Sequence, residues 1–396
     1  MSGNHAVQFE LITGPGDGPR MGRLMIGDLE VRTPAFMPVG TRASVKTLGS
    51  EDLEALGSRL ILANTYHLHL RPGAERIARL GGLHRFMGWR GGILTDSGGF
   101  QVYSLANLRR IHPDGIEFRS HLDGSPHFLT PEGVLDIQGQ LGSDIRMVLD
   151  VCTPQPAGRE QTEREMALTL SWAERSRRYW AQAAEQAIRP GALFGIVQGG
   201  TFPDLRRTCA ERLVDLEFDG YALGGFAVGE PPEQRWPALE AGVTVLPEER
   251  PRYMMGVGTP ADILAAVARG IDLFDCVLPT RNARKGTLFT WAGKMIVKNA
   301  IFAEDQRPVD PECGCPTCRR YTRAYLRHLF QVGEYLAGRL ATLHSVAFYQ
   351  QLMERIREAI VAGRFAEFAD ELRARWAQRP PGESARHGKE DPCQSC

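Results

Sequence analysis

Short apolar runs separated by stretches of helical character constrain the fold of this 396-residue chain more than any other feature. The runs span residues 60–62, 93–95, 147–149, 193–197, 221–223, 253–255 and 273–277. Helix start signals lie between them at Thr130-Pro131 and Thr259-Pro260, where a capping hydroxyl precedes a proline. Strands that are apolar along their whole length and alternate with helices predict a parallel sheet covered on both faces.

The number of these units decides between two parallel-sheet architectures. Seven or more units within about 250 residues favour a (β/α)8 barrel. The alternative is an open, doubly wound sheet, but no GxGxxG motif follows an early strand, and GVGTPAD after Met255 is a weak glycine-rich turn. We therefore predict an α/β chain that closes into a (β/α)8 TIM barrel.

Polar residues and glycines end most of the apolar runs. The residues that follow a run are Asp96, Asp150, Gln198, Gly224, Gly225 and Gly256, and Asp275 lies near the end of the last run. In a barrel the C-terminal ends of all strands open on one face, where catalytic groups collect. A single carboxylate there is explained by helix capping, whereas several polar ends together predict one site. We expect the glycines to keep this pocket open for a flat ligand.

Three of the eight cysteines fall in the segment Cys313-Gly314-Cys315-Pro316-Thr317-Cys318. In a chain without a secretion signal, this spacing favours metal binding over a disulfide framework. Three thiolates on a tight turn can occupy three corners of a zinc tetrahedron, and His328, His344 or the Cys393/Cys396 pair offers the fourth ligand. A site closed by four protein ligands is structural rather than catalytic.

Charge and hydropathy exclude two broad classes of protein. The chain has 47 basic and 47 acidic residues, which argues against coating nucleic acid by bulk charge but allows a local basic surface. Arginines and lysines do cluster at 281–285 and 319–327. No apolar run approaches the roughly 20 residues of a membrane helix, and the first residues lack a secretion signal. We therefore expect a cytoplasmic protein with no membrane partner.

Taken together, the motifs resemble those of tRNA-guanine transglycosylases over residues 8–375. The matching segments are PAFMPVGT (34–41), NTYHLHLRPG (64–73), DSGGFQ (96–101), LDVCTP (149–154), FGIVQGG (194–200), GGFAVGE (224–230), YMMGVGTP (253–260) and DLFDCVLPTRNARKG (272–286), followed by CxCxxC and a distant histidine. The combination is specific, although no single motif would suffice.

The resemblance implies a (β/α)8 barrel with an added C-terminal zinc-binding subdomain. We expect the barrel, N-terminal strands and a hairpin insertion at Asp123-Gly124 within 1–300, the zinc subdomain and a closing helix within 301–375, and a disordered tail over 376–396. Members of this family exchange the wobble guanine of the tRNAs for aspartate, asparagine, histidine and tyrosine for a 7-deazaguanine base in queuosine synthesis. Their active unit is usually a homodimer.

The resemblance also assigns roles to individual residues. Asp275 matches the nucleophile, and Asp96 matches the second carboxylate, a general acid/base. The other matches are Ser97, Asp150, Gln198 and Gly225 for hydrogen bonding of the base, Phe100 and Met255 for sandwiching it, Arg281 and Arg284 for the anticodon loop, and Cys313, Cys315, Cys318 and His344 for structural zinc.

The proposed chemistry is consistent with the residues alone. Two carboxylates at a glycosidic carbon can replace one base by another with retention, one forming an ester and one moving a proton. Extruding a base costs a few kcal/mol, less in a single-stranded anticodon loop. Two alternatives are a retaining glycoside hydrolase, which the cysteine cluster fits poorly, and a non-catalytic tRNA-binding subunit, which would lack the carboxylate pair.

Two positions depart from the family pattern near the expected base pocket. Val151 stands where an acidic residue is frequent, and Phe226 stands where leucine is usual. We expect the Phe226-Ala227 backbone to read an aminomethyl group, with Glu230 behind it. Val228 occupies room that the cyclopentenediol of queuine would need. The sequence therefore predicts 7-aminomethyl-7-deazaguanine, the bacterial substrate, as the incoming base.

Overall fold

The computed structural model of this chain describes residues 7–14, 16–105, 109–154, 156–185 and 191–378. Its strands are β1 (Val7–Thr13), β2 (Met21–Ile26), β3 (Leu29–Thr33), β4 (Ala35–Pro38), β5 (Leu60–Ala63), β6 (Gly92–Thr95), β7 (Arg109–His112), β8 (Gly115–Arg119), β9 (Pro126–Leu129), β10 (Ile145–Met147), β11 (Ala192–Val197), β12 (Gly220–Leu223), β13 (Arg252–Met254), β14 (Leu273–Cys276), β15 (Thr287–Thr290) and β16 (Gly293–Ile296). Most of the tail predicted to be disordered (376–396), including Cys393 and Cys396, lies outside the described residues, which end at 378.

Helices separate most of these strands. They are α1 (Ser50–Ala55), α2 (Thr65–Leu70), α3 (Ala74–Arg79), α4 (Gly82–Met87), α5 (Gly99–Leu105), α6 (Pro131–Leu141), α7 (Arg159–Glu185), α8 (Pro203–Val214), α9 (Pro232–Val243), α10 (Pro260–Val267), α11 (Leu278–Arg284), α12 (Pro316–Arg320), α13 (Arg323–Val332), α14 (Tyr335–Val361) and α15 (Phe365–Ala377), with a short 3-10 helix at Ala300–Phe302. In the part of the chain that the structure describes, no helix has both the length and the apolar character that crossing a membrane requires.

Eight parallel strands close into a barrel, which confirms the predicted fold class. The sheet order is β4-β14-β13-β12-β11-β10-β6-β5. Its two outer strands meet through a parallel bridge between Val39 and Leu62, and the Gly40 N–H donates to the Leu62 carbonyl at 2.6 Å. All residues of these eight strands are buried, because side chains fill the barrel on one face and helices cover the other.

The helices begin where the sequence signals predict. The Thr130 hydroxyl accepts a hydrogen bond from Gly133 N at 2.9 Å at the start of α6, and Thr259 accepts one from Asp262 N at 3.1 Å at the start of α10. A proline occupies the first turn in both cases, where its missing N–H leaves no hydrogen bond unmade. These caps fix where each helix leaves the C-terminal face of the barrel.

Two antiparallel sheets extend the barrel. Strands β7, β8 and β9 form one of them, and the predicted turn at Asp123-Gly124 joins β8 to β9. Strands β1, β2 and β3 form the other. Arg20 holds this N-terminal segment to the barrel through a fully buried ion pair with Asp272, the residue before β14. Its guanidinium also donates to the Glu248 carbonyl at 2.9 Å.

Helix α14 joins the C-terminal segment to the barrel. Its Tyr349 hydroxyl donates to the Gly258 carbonyl at 2.5 Å, and the Tyr349 ring lies 4.6 Å from that of Phe36 on β4. Five residues before Tyr349, the same helix carries His344, which is fully buried. A single helix therefore contacts both the barrel and the cysteine-rich segment. The predicted domain boundary at residue 300 remains a prediction.

Candidate active site and metal centre

Asp96, Asp150 and Asp275 line a single cavity at the C-terminal ends of the barrel strands. They come from the ends of β6, β10 and β14, which are far apart in sequence. Each side chain is more than nine-tenths buried. Burying three carboxylates together is unfavourable unless hydrogen bonds or a ligand compensate them, so this cavity has the character of a functional site.

Backbone and amide groups at the start of α2 hold the Asp96 carboxylate. The Asn64 side-chain amide donates to Oδ2 at 2.5 Å, and the Thr65 N–H donates to Oδ1 at 2.8 Å. Burial raises the pKa of Asp96 from its ordinary 3.8 to about 6, and the negative charge of Asp275 acts in the same direction. A carboxyl group with this pKa can both release and accept a proton near neutral pH.

Asp275 is fixed through one of its two oxygens. The Tyr253 hydroxyl and the Gly256 N–H both donate to Oδ1, at 2.6 and 2.7 Å. Burial raises the pKa of Asp275, and these two hydrogen bonds act in the opposite direction. Within the described residues both hydrogen bonds end on Oδ1, so Oδ2 is the oxygen that remains for an electrophile.

Ser97 and Gln198 complete a hydrogen-bonded group around Asp150. The Ser97 hydroxyl donates to Oδ1 and the Gln198 amide to Oδ2, both at 2.8 Å. Burial raises the pKa of Asp150, opposed by these two hydrogen bonds. The Gln198 nitrogen faces Asp150, which leaves its carbonyl oxygen as an acceptor, and this atom is buried without a partner among the described residues.

The glycines beside the pocket make room for protein groups as well as for a ligand. A Cβ on Gly225 would lie 2.6 Å from Gln198 Oε1, and one on Gly224 would lie 2.8 Å from Gln198 Nε2. A Cβ on Gly99 would lie 2.7 Å from the Asp150 carbonyl oxygen. The expectation that glycines open the pocket is therefore incomplete, because they also let its polar side chains pack against backbone.

The loop after β12 forms one rim of the cavity. Glu230 accepts hydrogen bonds from the N–H groups of Ala227 at 2.6 Å and Val228 at 2.9 Å, and it forms an ion pair with Arg235 at 2.5 Å. Glu230 thus lies behind the backbone, as predicted from the sequence. Phe226 lines the cavity and is 3% exposed, whereas Val151 packs into the hydrophobic core.

The remaining predicted residues lie at the same end of the barrel. Phe100 and Met255 are both half-buried and line the cavity. Arg281 and Arg284 lie on α11, which begins two residues after β14 and its Asp275. The structure therefore gathers the side chains that the sequence assigned to catalysis and base binding around one cavity, and the two arginines lie on the helix that follows β14.

Sequence reasoning missed several polar residues of the site, among them Asn64, Tyr253 and His67. Asn64 follows β5 as Asp96 follows β6, so the rule that identified Asp96 was available for it. Tyr253 lies inside an apolar strand and carries no signal of its own. His67, which the sequence interpretation left out, lines the cavity, and its Nε2 atom is buried without a partner among the described residues. Burial lowers the pKa of His67 to about 4, so it is neutral at pH 7.

Cys313, Cys315, Cys318 and His344 form a buried cluster that fits a metal ion. Their ligand atoms lie within 4.8 Å of one another, with 3.3 Å between Cys318 Sγ and His344 Nδ1. The other ring nitrogen of His344 lies 2.9 Å from the Phe289 carbonyl oxygen, which leaves Nδ1 facing the thiols. Three sulfurs and one nitrogen at tetrahedral spacing suit zinc, and His344 rather than His328 is the histidine in the cluster.

Comparison with known proteins matches nearly the whole described chain to one family. The profile of the family described as queuine tRNA-ribosyltransferase matches residues 17–378. Proteins named queuine tRNA-ribosyltransferase from Thermoanaerobacter pseudethanolicus, Zymomonas mobilis and Desulfosudis oleivorans are 54%, 52% and 53% identical to this chain. The alignments cover 92%, 91% and 98% of this chain and 96%, 94% and 99% of the respective relatives.

Proposed function

This chain belongs to the queuine tRNA-ribosyltransferase family and is a tRNA-guanine transglycosylase of queuosine synthesis, and we propose that it works by double displacement through a covalent aspartyl-ribosyl intermediate. The observation that carries the proposal is that Asp96 and Asp275 line the same cavity, where the charge of Asp275 adds to the effect of burial in raising the pKa of Asp96. Replacement of one base by another at the same position requires retention, which two successive displacements provide.

Asp275 is the proposed nucleophile. Its Oδ2 attacks the anomeric carbon of the wobble nucleotide, and the glycosidic bond to guanine breaks as the aspartyl ester forms. Tyr253 and Gly256 hold Oδ1 at 2.6 and 2.7 Å, so the carboxylate is oriented before the RNA arrives. Burial and the neighbouring Asp275 charge raise the pKa of Tyr253 well above its ordinary value, which keeps its hydroxyl a donor.

Asp96 is the proposed general acid and base. It first gives a proton to the departing guanine. It then takes a proton from the incoming base, whose nitrogen attacks the anomeric carbon while the bond to Asp275 Oδ2 breaks, so that both aspartates end the cycle in their starting states. Its raised pKa of about 6 supports both transfers near neutral pH. Asn64 and Thr65 fix its orientation without a charged partner, which keeps proton affinity high.

Base recognition is proposed to depend on complementary donors and acceptors. The Watson–Crick edge of guanine and its 7-deaza analogues presents N–H donors, and Asp150 and the free Gln198 Oε1 are acceptors. The Gly225 N–H is proposed to donate to the base carbonyl. Phe100 and Met255 supply apolar surface for the two faces of the ring.

The proposed incoming base is 7-aminomethyl-7-deazaguanine. Because the Ala227 N–H points to Glu230, the carbonyl of the same trans peptide, on Phe226, points the opposite way and can accept from an ammonium group. Val228 lines the cavity where a larger substituent would need room. A competition between equal concentrations of this base and queuine tests the assignment, and faster incorporation of queuine would reject it.

We propose the anticodon loop of the tRNAs for aspartate, asparagine, histidine and tyrosine as the RNA substrate, bound partly through Arg281 and Arg284. A zinc ion held by the Cys3His cluster is proposed to have a purely structural role, since four protein ligands close its coordination. The reaction is proposed to take place in the cytoplasm, where its tRNA substrate lies.

A homodimer is the proposed active unit. Val332, Tyr335 and Leu336, near the junction of α13 and α14, are 57%, 96% and 37% exposed, which is unusual for large apolar side chains so close in sequence. We expect wild-type protein to sediment as a dimer and a Val332→Asp/Tyr335→Asp variant to shift toward monomer. A wild-type monomer in the presence of tRNA would contradict the proposal.

Trapping the covalent intermediate tests the mechanism. Unmodified tRNA is incubated with the enzyme and a guanine-site inhibitor, then separated by denaturing electrophoresis, and labelled guanine exchange is measured in parallel. We expect a protein–RNA adduct with wild type and neither adduct nor exchange with Asp275→Ala, while tRNA binding persists. Guanine exchange by Asp275→Ala would refute the assignment of Asp275 as the nucleophile. Release of free sugar from oligosaccharides by the wild-type protein would support a glycoside hydrolase instead.

A further inference from the structure

Arg206, on α8, is a buried cation behind the base pocket. It has no solvent exposure, and no carboxylate within the described residues forms an ion pair with it. Burial lowers the pKa of Arg206 to about 10, so it still carries its charge at pH 7. Such a charge costs free energy, which makes its contacts informative.

The hydrogen bonds of Arg206 go to the loops that carry the base-recognition groups. Its Nε donates to the Gly200 carbonyl at 2.8 Å, and its Nη1 donates to the carbonyls of Val197 at 2.9 Å and Gly224 at 2.7 Å. Val197 immediately precedes Gln198, and Gly224 immediately precedes Gly225. The guanidinium therefore connects the C-terminal ends of β11 and β12. These ends carry Gln198 and Gly225, the residues proposed to bind the base.

The ring of Phe226 covers the same guanidinium. The Arg206 Cζ atom lies 4.0 Å from the ring centroid, close enough for a cation–π contact in a site that excludes water. The backbone of the next residue, Ala227, has a φ of +56°, a left-handed conformation that is unfavourable for a residue with a Cβ. A strained backbone conformation persists only when contacts hold the residues around it, and the contact between Phe226 and Arg206 is one of these.

Glu230 supplies the support on the other side. It binds the N–H groups of Ala227 and Val228 and is itself held by Arg235, which also pairs with Asp262 at 3.2 Å. The side chain of Phe226 and the N–H of Ala227 are thus fixed by two different anchors. Because Arg206 contacts the Phe226 ring and Glu230 accepts from the Ala227 N–H, the Phe226 carbonyl is held pointing away from Glu230.

We propose that Arg206 is a positioning residue, and that the stacking of Phe226 on it biases base choice toward a base carrying a cationic aminomethyl group over guanine. This inference rests on the proposed function of the cavity. A carbonyl fixed toward the substituent favours an ammonium donor and offers nothing to guanine, which has no such group at the corresponding ring position.

The test compares kcat/KM for 7-aminomethyl-7-deazaguanine and for guanine, with tRNA saturating. Phe226→Leu keeps an apolar side chain but removes the stacking. We expect its preference for the aminomethyl base to fall roughly three- to tenfold, mainly through a higher KM for that base. The preference is the ratio of the two kcat/KM values within one variant, so a general loss of activity affects both values and cancels from the ratio.

Two further variants separate this effect from general damage. Phe202→Leu removes a ring at the N-terminus of α8 that lies 5.6 Å from the exposed Arg159 on α7, and the base preference of this variant stays unchanged. Arg206→Met, which removes the hydrogen bonds as well, raises the KM for both bases if it folds. If Phe226→Leu keeps the wild-type preference for the aminomethyl base over guanine while the wild-type enzyme exchanges guanine, this inference is wrong but the proposed function stands. Loss of exchange in wild type would instead overturn the proposed function.

Discussion

At the scale of single residues, the burial of Asp96 makes the stability of this fold depend on pH. Its pKa is raised from 3.8 to about 6, so between these values the folded chain binds more protons than the unfolded chain. The stability from this group is complete below pH 4 and is lost as the pH rises to 6. A change of this size corresponds to about 3 kcal/mol.

The variant Asp96→Asn removes this dependence and therefore measures it. We expect the free energy of unfolding of wild type, minus that of Asp96→Asn, to fall as the pH rises from 4 to 6 and then to level off. Urea denaturation at several pH values provides the measurement. A difference that is constant over this range would show that Asp96 does not have a raised pKa in the folded enzyme.

Asp150 leads to a second prediction, on base affinity. In Asp150→Asn the side chain keeps its size but loses charge and one acceptor, while the Ser97 hydroxyl and Gln198 amide still need partners. Hydrogen bonds to a charged group contribute about 1.5–3 kcal/mol, so the KM for guanine should rise roughly 10- to 100-fold. The KM for tRNA should change little.

The control for this variant is Asp136→Asn on α6. Asp136 also accepts a hydrogen bond, from the Tyr179 hydroxyl at 2.7 Å, but it does not line the cavity. Its exchange kinetics should match those of wild type. If Asp150→Asn raised both Michaelis constants equally, the residue would be structural rather than part of the base pocket.

At the scale of elements, the strand ends explain how much of the site the sequence could predict. An apolar strand that stops at a polar residue indicates where that side chain points, and this rule correctly gathered Asp96, Asp150 and Asp275. This rule does not apply to residues inside a strand. From the sequence, Tyr253 is therefore expected to be a core residue, whereas in the structure its hydroxyl donates a hydrogen bond to Asp275.

The burial of Arg206 could not be predicted from the sequence for a related reason. An arginine on an amphipathic helix is expected to face solvent, and only the packing of α8 against β11 and β12 buries it. The barrel could be inferred from its repeating units, but its closure through Val39 and Leu62 depends on strands whose pairing no local pattern specifies.

Helix α14 leads to a prediction about the metal. Because the helix carries His344 in the cluster and Tyr349 against the barrel, loss of the ion should disturb both regions. We expect Cys318→Ala to lose the bound zinc, to melt at a lower temperature and to exchange guanine more slowly. Atomic absorption, thermal unfolding and base exchange would follow the three effects.

Cys209→Ser provides the comparison for the metal experiment. Cys209 is a buried thiol outside the cluster, so this variant should keep one zinc per chain. If Cys318→Ala lost its zinc but kept the wild-type melting temperature, the ion would not be structural. If Cys209→Ser also lost zinc, the measurement would be reporting general unfolding.

At the scale of the whole molecule, a net charge of zero limits how the enzyme can bind RNA. Affinity must come from a local basic surface, and α11 is the best candidate because it follows directly from the strand that carries Asp275. The Nη1 atom of Arg284 is buried without a partner within the described residues, and burial lowers the pKa of this side chain. A phosphate at this position would supply the missing acceptor.

This leads to a prediction about salt dependence. Each phosphate contact to a single strand contributes about 0.7 to the slope of log affinity against log salt concentration. Arg284→Ala should therefore weaken tRNA binding and lower the magnitude of this slope by about that amount, while the KM for the free base is unchanged. Lys294→Ala removes an exposed charge on β16 and should leave the slope as it is. If wild type and Arg284→Ala gave equal slopes of log affinity against log salt concentration, Arg284 would not contact a phosphate, because loss of such a contact reduces the number of counterions released on binding.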